Sequence, residues 1–146
     1  MYKRQLIPFI EASYRANPAN RVLSGHSLSG ELVLYALYME DPAQRYFTSI
    51  ISEECSCWYD ASRNFQQQLA LPIAMELAMY ESDPVLPINL VIAGDSLGNE
   101  ANALVVYDTI TRQHFQNLHS TQPIYALGHV PMDGPAFSDA LSFIFN

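Results

Sequence analysis

Three side chains of types that can perform nucleophilic catalysis together occur far apart in the chain, each within two residues of a glycine. Ser27 lies in Gly-His-Ser-Leu-Ser-Gly, Asp95 follows Gly94, and His129 follows Gly128. A serine hydroxyl is a weak nucleophile unless a base such as imidazole removes its proton, and that base needs an acid to orient it. The residue types therefore indicate a serine nucleophile, a histidine base and an orienting carboxylate.

The serine stands at a predicted junction between a strand and a helix. If Ser27 occupies the apex of this turn, its neighbours two positions away must be small, as Gly25 and Ser29 are. The N–H of Leu28 would then point from the helix N-terminus toward a developing oxyanion. A simpler interpretation is that Ser27 only caps the helix that follows.

Alternating helix and strand patterns supply the elements that would position these side chains. Strands are predicted at 21–25, 46–53, 88–94 and 122–127, and helices at 5–17, 28–40, 61–82, 99–118 and 134–145. Helix 28–40 is apolar nearly all round, and strand 88–94 is a continuous apolar run, so we expect both to be buried. Strands separated by helices predict an α/β fold with a mostly parallel sheet of about four strands. Groups that follow the strands then meet at one edge of the sheet.

Several residues have competing interpretations. Asp95 could be an ordinary turn residue, in which case the nearby Glu100 is an alternative acid. His26 lies directly beneath the turn, where it either packs or lines the substrate site. His114 and His119 fall on and just after a predicted helix, away from the strand ends, and we expect them to be solvated.

The segment after the second strand, Glu-Glu-Cys-Ser-Cys-Trp-Tyr-Asp at 53–60, could line a pocket beside the serine. Ser56, Trp58 and Tyr59 are the candidate substrate-binding residues, although core packing explains Trp58 equally well. For the paired acids Glu53 and Glu54, a solvated loop is the simpler expectation.

Composition excludes some classes of protein. The chain has 146 residues, a net charge of −8 and 49% hydrophobic residues, so it can form a core and lacks the basic surface that nucleic acid or anionic lipid requires. No apolar run approaches the roughly 20 residues that span a membrane. Cys55 and Cys57 are too few for a zinc site unless histidine joins them, and a disulfide across two positions is strained, so we expect free or packed thiols and no metal.

Four segments resemble the putative-esterase family of α/β-hydrolases, which includes esterase D-like, feruloyl and enterochelin (siderophore) esterases. The matching segments are GHSLSG, SCWYD, AGDSL and LGHVPM followed by FSDALSFIF, and the resemblance covers about residues 6–145. It implies a serine ester hydrolase without a cofactor, acting on a small-molecule ester through Ser27, His129 and Asp95. Ser29 and Glu54-Cys55 depart from the family pattern. The resemblance also includes siderophore esterases that work with only a Ser–His dyad, so it leaves the acid open.

The resemblance also implies that the chain is the C-terminal part of a single truncated domain, residues 1–146, whose N-terminal strands are missing. Residues 1–5 resemble a translated adapter scar from library construction. We then expect the strand before Ser27 to be an exposed edge, with self-association and poor activity as consequences. An acyltransferase and an inactive binding module are the alternatives. The substrate, and a cytoplasmic or periplasmic location, stay open.

Overall fold

A computed structural model describes residues 2–40, 45–57, 85–112 and 114–146. A π-helical turn, Tyr2–Leu6, leads into α1 (Ile7–Ser13), β1 (Val22–His26), α2 (Leu28–Met39), β2 (Ser49–Glu53), β3 (Val85–Asp95), α3 (Glu100–Thr111), β4 (Gln116–Thr121), β5 (Ile124–Tyr125) and α4 (Asp133–Phe145). The helix predicted over 61–82 lies outside the described residues, as do Trp58 and Tyr59.

The strands form a single sheet in which every described pairing is parallel. The order is β1-β2-β3-β4, and β5 pairs with β3 beyond the end of β4. Because β4 and β5 pair with successive parts of β3, they act as one strand interrupted at Gln122 and Pro123. A mostly parallel sheet with flanking helices confirms the predicted α/β class. Within the described part of the chain, β1 lies at one edge of this sheet.

The core lies on both faces of β3, as its apolar run predicts. Leu90, Val91, Ile92 and Ala93 are fully buried. Leu90 and Ile92 pack with side chains of α2 and α3. Val91 and Ala93 belong to two smaller clusters on the other face, each of which contains a residue of α4. Complete burial of such side chains stabilises a fold by about 1.5–3 kcal/mol each, so this alternation fixes β3 between two helical layers.

Three predicted elements differ from those observed. The first predicted helix, 5–17, ends at Ser13, and α2 is not buried all round, because Leu28 and Leu32 are 54% and 57% exposed. The helix predicted over 99–118 ends at Thr111 and is followed by β4, whose sequence QNLHST has no apolar alternation. An edge strand that packs few side chains gives no such pattern. His119 therefore lies in a strand, and both it and His114 are exposed, as expected.

A buried acid links the end of β2 to the start of α4. The Glu53 side chain is almost completely buried and shares a hydrogen bond with the side chain of Asp133. Burial, this hydrogen bond and the charge of Asp133 raise the pKa of Glu53 from 4.5 to about 8. Glu53 therefore carries a proton at neutral pH, and it can donate that proton to the Asp133 carboxylate.

The stability of the fold should consequently decrease as the pH rises. Between pH 4.5 and about 8 the folded state holds a proton on Glu53 that the unfolded state has lost, so the stabilisation is full below this window and disappears through it. Glu53→Gln should flatten the profile, relative to the wild type, by at most about 1.4 kcal/mol per pH unit. Urea unfolding of both proteins at pH 5, 6, 7 and 8 measures this difference. Parallel profiles would contradict the assignment.

Candidate active site

Ser27 occupies a strained turn between β1 and α2. Its backbone has φ 60° and ψ −120°, a left-handed conformation that costs a non-glycine residue about 1–3 kcal/mol. A serine that caps a helix normally has β-region dihedrals and accepts a hydrogen bond from the first turn with its side chain. The Ser27 side chain makes no such bond, and its Oγ lies 3.0 Å from Ser56 Oγ. Ser27 is therefore presented at the helix N-terminus without acting as its cap.

The small neighbours predicted from the sequence make this turn possible. A Cβ atom on Gly25 would lie 2.2 Å from the carbonyl oxygen of Ser29, and one on Gly30 would lie 2.9 Å from the carbonyl oxygen of Glu53. The Ser29 hydroxyl accepts a hydrogen bond from the His26 N–H and donates one to the His26 carbonyl. The small side chain of Ser29 therefore fits at this position, and its two hydrogen bonds to His26 close the turn.

Gly25→Ala should disrupt this turn. The added methyl group meets backbone atoms that cannot rotate away, so we expect the free energy of unfolding to fall by about 3 kcal/mol, the upper end of typical overpacking costs. Gly134→Ala is the matched control, because nothing lies within 4 Å of the Cβ it would add. Urea denaturation of both variants tests the prediction, which is wrong if the two have equal stability.

Backbone hydrogen bonds continue beyond the strands and draw the candidate residues together. The Ser27 N–H donates to the carbonyl of Glu53, and the Glu54 N–H donates to the carbonyl of Ala93. The Ser96 N–H likewise donates to the carbonyl of Tyr125. The residues that follow β1, β2, β3 and β5 thus share one rim of the sheet, where a parallel sheet is expected to gather functional groups.

His129 is held against this turn by its neighbour in the fold, His26. The Nε2–H of His26 donates to the carbonyl oxygen of His129 at 2.8 Å, and the two rings are 4.6 Å apart between centroids. The His129 side chain is 41% exposed and therefore accessible from solvent, and its Nδ1 lies 3.6 Å from Oε1 of Glu54. His26, the residue that precedes Ser27, therefore holds the loop that carries His129.

Asp95 is fully buried and holds the loop that carries His129 through hydrogen bonds to its backbone. Its Oδ2 accepts hydrogen bonds from the N–H groups of Leu127 and Gly128, and its Oδ1 accepts one from Leu97. Burial acts to raise the pKa of Asp95, but these N–H donors and the nearby His129 outweigh it and lower the pKa from 3.8. An ionised Asp95 thus fixes the two residues immediately before His129.

Glu100, the alternative acid predicted from the sequence, and Glu54 occupy different places. Glu100 begins α3, and among the described residues no ion pair joins it to His129. Glu54, in contrast, is fully buried beside His129, so the expectation that Glu53 and Glu54 lie in a solvated loop is wrong. The sequence signal that could have placed Glu54 at this site is the pair of acids at the end of a buried apolar strand, because the end of such a strand lies at the rim of the sheet.

Ser56 and the cysteines that flank it form a compact turn under Ser27. The Ser56 N–H donates to the carbonyl of Ser27, and Cys55 and Cys57 are joined in a disulfide. The expectation of free thiols is therefore wrong. The chain turns at Glu54, which has φ 45°, and the two cysteine Cα atoms come within 5.2 Å, inside the range that a disulfide spans.

In the part of the chain that the structure describes, no group of three or more His, Cys, Asp or Glu side chains is arranged to hold a metal ion. No helix among the same residues has both the length and the apolar character needed to cross a bilayer.

Comparison of the chain with protein-family models, with curated proteins and with solved structures finds no match.

Proposed function

We propose that the protein is a serine ester hydrolase with Ser27 as nucleophile and His129 as general base. His129 takes the proton of the Ser27 hydroxyl as Oγ attacks the ester carbonyl. The tetrahedral intermediate collapses, the C–O bond to the alcohol breaks, and His129 returns the proton to the departing oxygen. Water, deprotonated by His129, then attacks the acyl-serine ester; the bond to Ser27 Oγ breaks, His129 returns the proton to Oγ, and the acid is released.

The observation that carries this proposal is the backbone of Ser27. A strained non-glycine residue persists only when the surrounding structure enforces it, and such residues concentrate at functional sites. Here the strain lifts a hydroxyl clear of its own helix rather than using it as a cap. In this structure the Ser27 hydroxyl pairs with Ser56 Oγ at 3.0 Å, so the proposed attack requires it to turn from Ser56 toward the imidazole of His129.

The start of α2 supplies the electrostatic part of the mechanism. Leu28 is the first residue of α2, and the first N–H groups of a helix have no acceptor within it. The Leu28 N–H is thus available to donate to the oxyanion that forms when Ser27 attacks. The partial positive charge at the helix N-terminus adds to this stabilisation. The half-exposed His129 leaves the site open to an ester from solvent.

An activity-based probe tests the proposal directly. A fluorophosphonate phosphonylates a serine only when a base activates it, so we expect labelling of the purified chain, with the adduct located at Ser27 by mass spectrometry. Hydrolysis of p-nitrophenyl acetate should be inhibited in proportion to the labelled fraction. A folded protein that neither reacts with the probe nor hydrolyses the ester would contradict the proposal.

A further inference from the structure

We infer that Glu54, rather than Asp95, is the carboxylate that orients the imidazole of His129. The inference depends on the proposed function and adds a positioning residue to it. Among the described residues, the ion pair of His129 is with Glu54, whose Oε1 lies 3.6 Å from Nδ1. This separation is longer than a hydrogen bond, but contacts of this kind are often loose before substrate binds.

The hydrogen bonds of the two buried acids, Asp95 and Glu54, indicate that the acids have different roles. Asp95 receives the backbone N–H groups of Leu97, Leu127 and Gly128, so it holds the loop rather than the imidazole ring. Glu54 is itself held by two backbone donors, because Oε2 accepts the Asp95 N–H and Oε1 accepts the Asn99 N–H. Glu54 is thereby fixed with one oxygen facing the ring of His129.

This arrangement selects the tautomer that the reaction needs. A carboxylate oxygen is only an acceptor, so a proton on Nδ1 of His129 is stabilised by Glu54. The unprotonated nitrogen is then Nε2, on the other side of the ring, which can take the proton of Ser27. The same negative charge stabilises the imidazolium that forms during attack, and because Glu54 is fully buried, solvent screens this interaction little.

The close fit around Glu54 supplies an independent test. A Cβ atom on Gly98 would lie 2.0 Å from Oε1 of Glu54. Gly98→Ala must therefore move the carboxylate without removing its negative charge. If position matters, this variant should lose at least about tenfold in kcat. Gly134→Ala, where the added methyl group meets open space, should keep wild-type activity.

The decisive experiment compares Glu54→Gln with Asp95→Asn. We expect Glu54→Gln to lower kcat for p-nitrophenyl acetate by about 10³–10⁴-fold with little change in KM, because the neutral amide no longer favours the productive tautomer. Asp95→Asn should mainly lower the melting temperature and reduce kcat less. Asp108→Asn, at an exposed pair with Arg112, is the matched control and should change neither. Folded Glu54→Gln with activity within tenfold of wild type would overturn the inference.

A spectroscopic measurement separates this inference from the proposed function and needs no turnover. The chain has four histidines, so ¹⁵N-imidazole spectra at alkaline pH, assigned with His129→Gln, report each tautomer. We expect His129 to carry its proton on Nδ1 in the wild type and in Asp95→Asn, and on Nε2 in Glu54→Gln. An Nε2–H tautomer in the wild type would overturn the inference, even in an active enzyme. An inactive wild type with the expected tautomers would overturn the proposed function and support the pairing.

Discussion

Ser27→Ala is expected to abolish labelling by a fluorophosphonate and to lower kcat/KM for p-nitrophenyl acetate by about 10⁴-fold or more. The substitution removes the only atom that can form the acyl-enzyme bond in the proposed mechanism. Steady-state kinetics and gel fluorescence measure the two effects. Ser56→Ala is the closest control, since its hydroxyl lies 3.0 Å from Ser27 Oγ, and it should retain labelling. Labelling that survives in Ser27→Ala would identify a different nucleophile.

Replacement of the same residue should also reveal the conformational cost of presenting the hydroxyl. Glycine adopts φ 60° and ψ −120° without the Cβ clash that alanine suffers. Ser27→Gly should therefore be more stable than Ser27→Ala by about 1–2 kcal/mol, although both are inactive. Urea denaturation of the two variants gives this difference. Equal stabilities would show that the turn is not strained in solution.

His129→Ala is expected to lower kcat nearly as far as Ser27→Ala, because without an imidazole nothing removes the serine proton. The hydrogen bond from His26 should survive, since it is accepted by the backbone carbonyl of residue 129. The fold should therefore be retained. Kinetics of the single variants and of Ser27→Ala/His129→Ala should show strong non-additivity, with the double variant about as impaired as either single one.

His26 should contribute less to activity than His129 does. The two imidazole rings are neighbours, but the Nε2–H of His26 is committed to the carbonyl of His129, so His26 should act on position rather than on proton transfer. We expect His26→Ala to reduce activity less than His129→Ala. His119→Gln, on an exposed strand, should have no effect. If His26→Ala is inactive and His129→Ala is active, the base has been misassigned.

The elements whose residues carry a local pattern are the ones that the sequence predicts correctly. The strand before Ser27, the apolar β3 and the closing helix α4 each depend on periodicity and on small residues at fixed spacing. The turn at Gly25–Gly30 is also local, since its dihedrals and its small neighbours lie within six residues. The strand β4 was missed because its exposed, polar sequence has no pattern that packing would impose.

Local patterns in the chain were sufficient to predict the parallel α/β class, the sharp turn at Ser27 and the positions of Ser27, Asp95 and His129 near the ends of strands. Three features became visible only in the folded molecule: the burial of Glu54 against His129, the hydrogen bonds of Asp95 to Leu127 and Gly128, and the disulfide between Cys55 and Cys57. The reason is the range of the interactions. Periodicity and turn chemistry act within a few residues, whereas Glu54 and His129 meet only because β2, β3 and β5 end at the same rim.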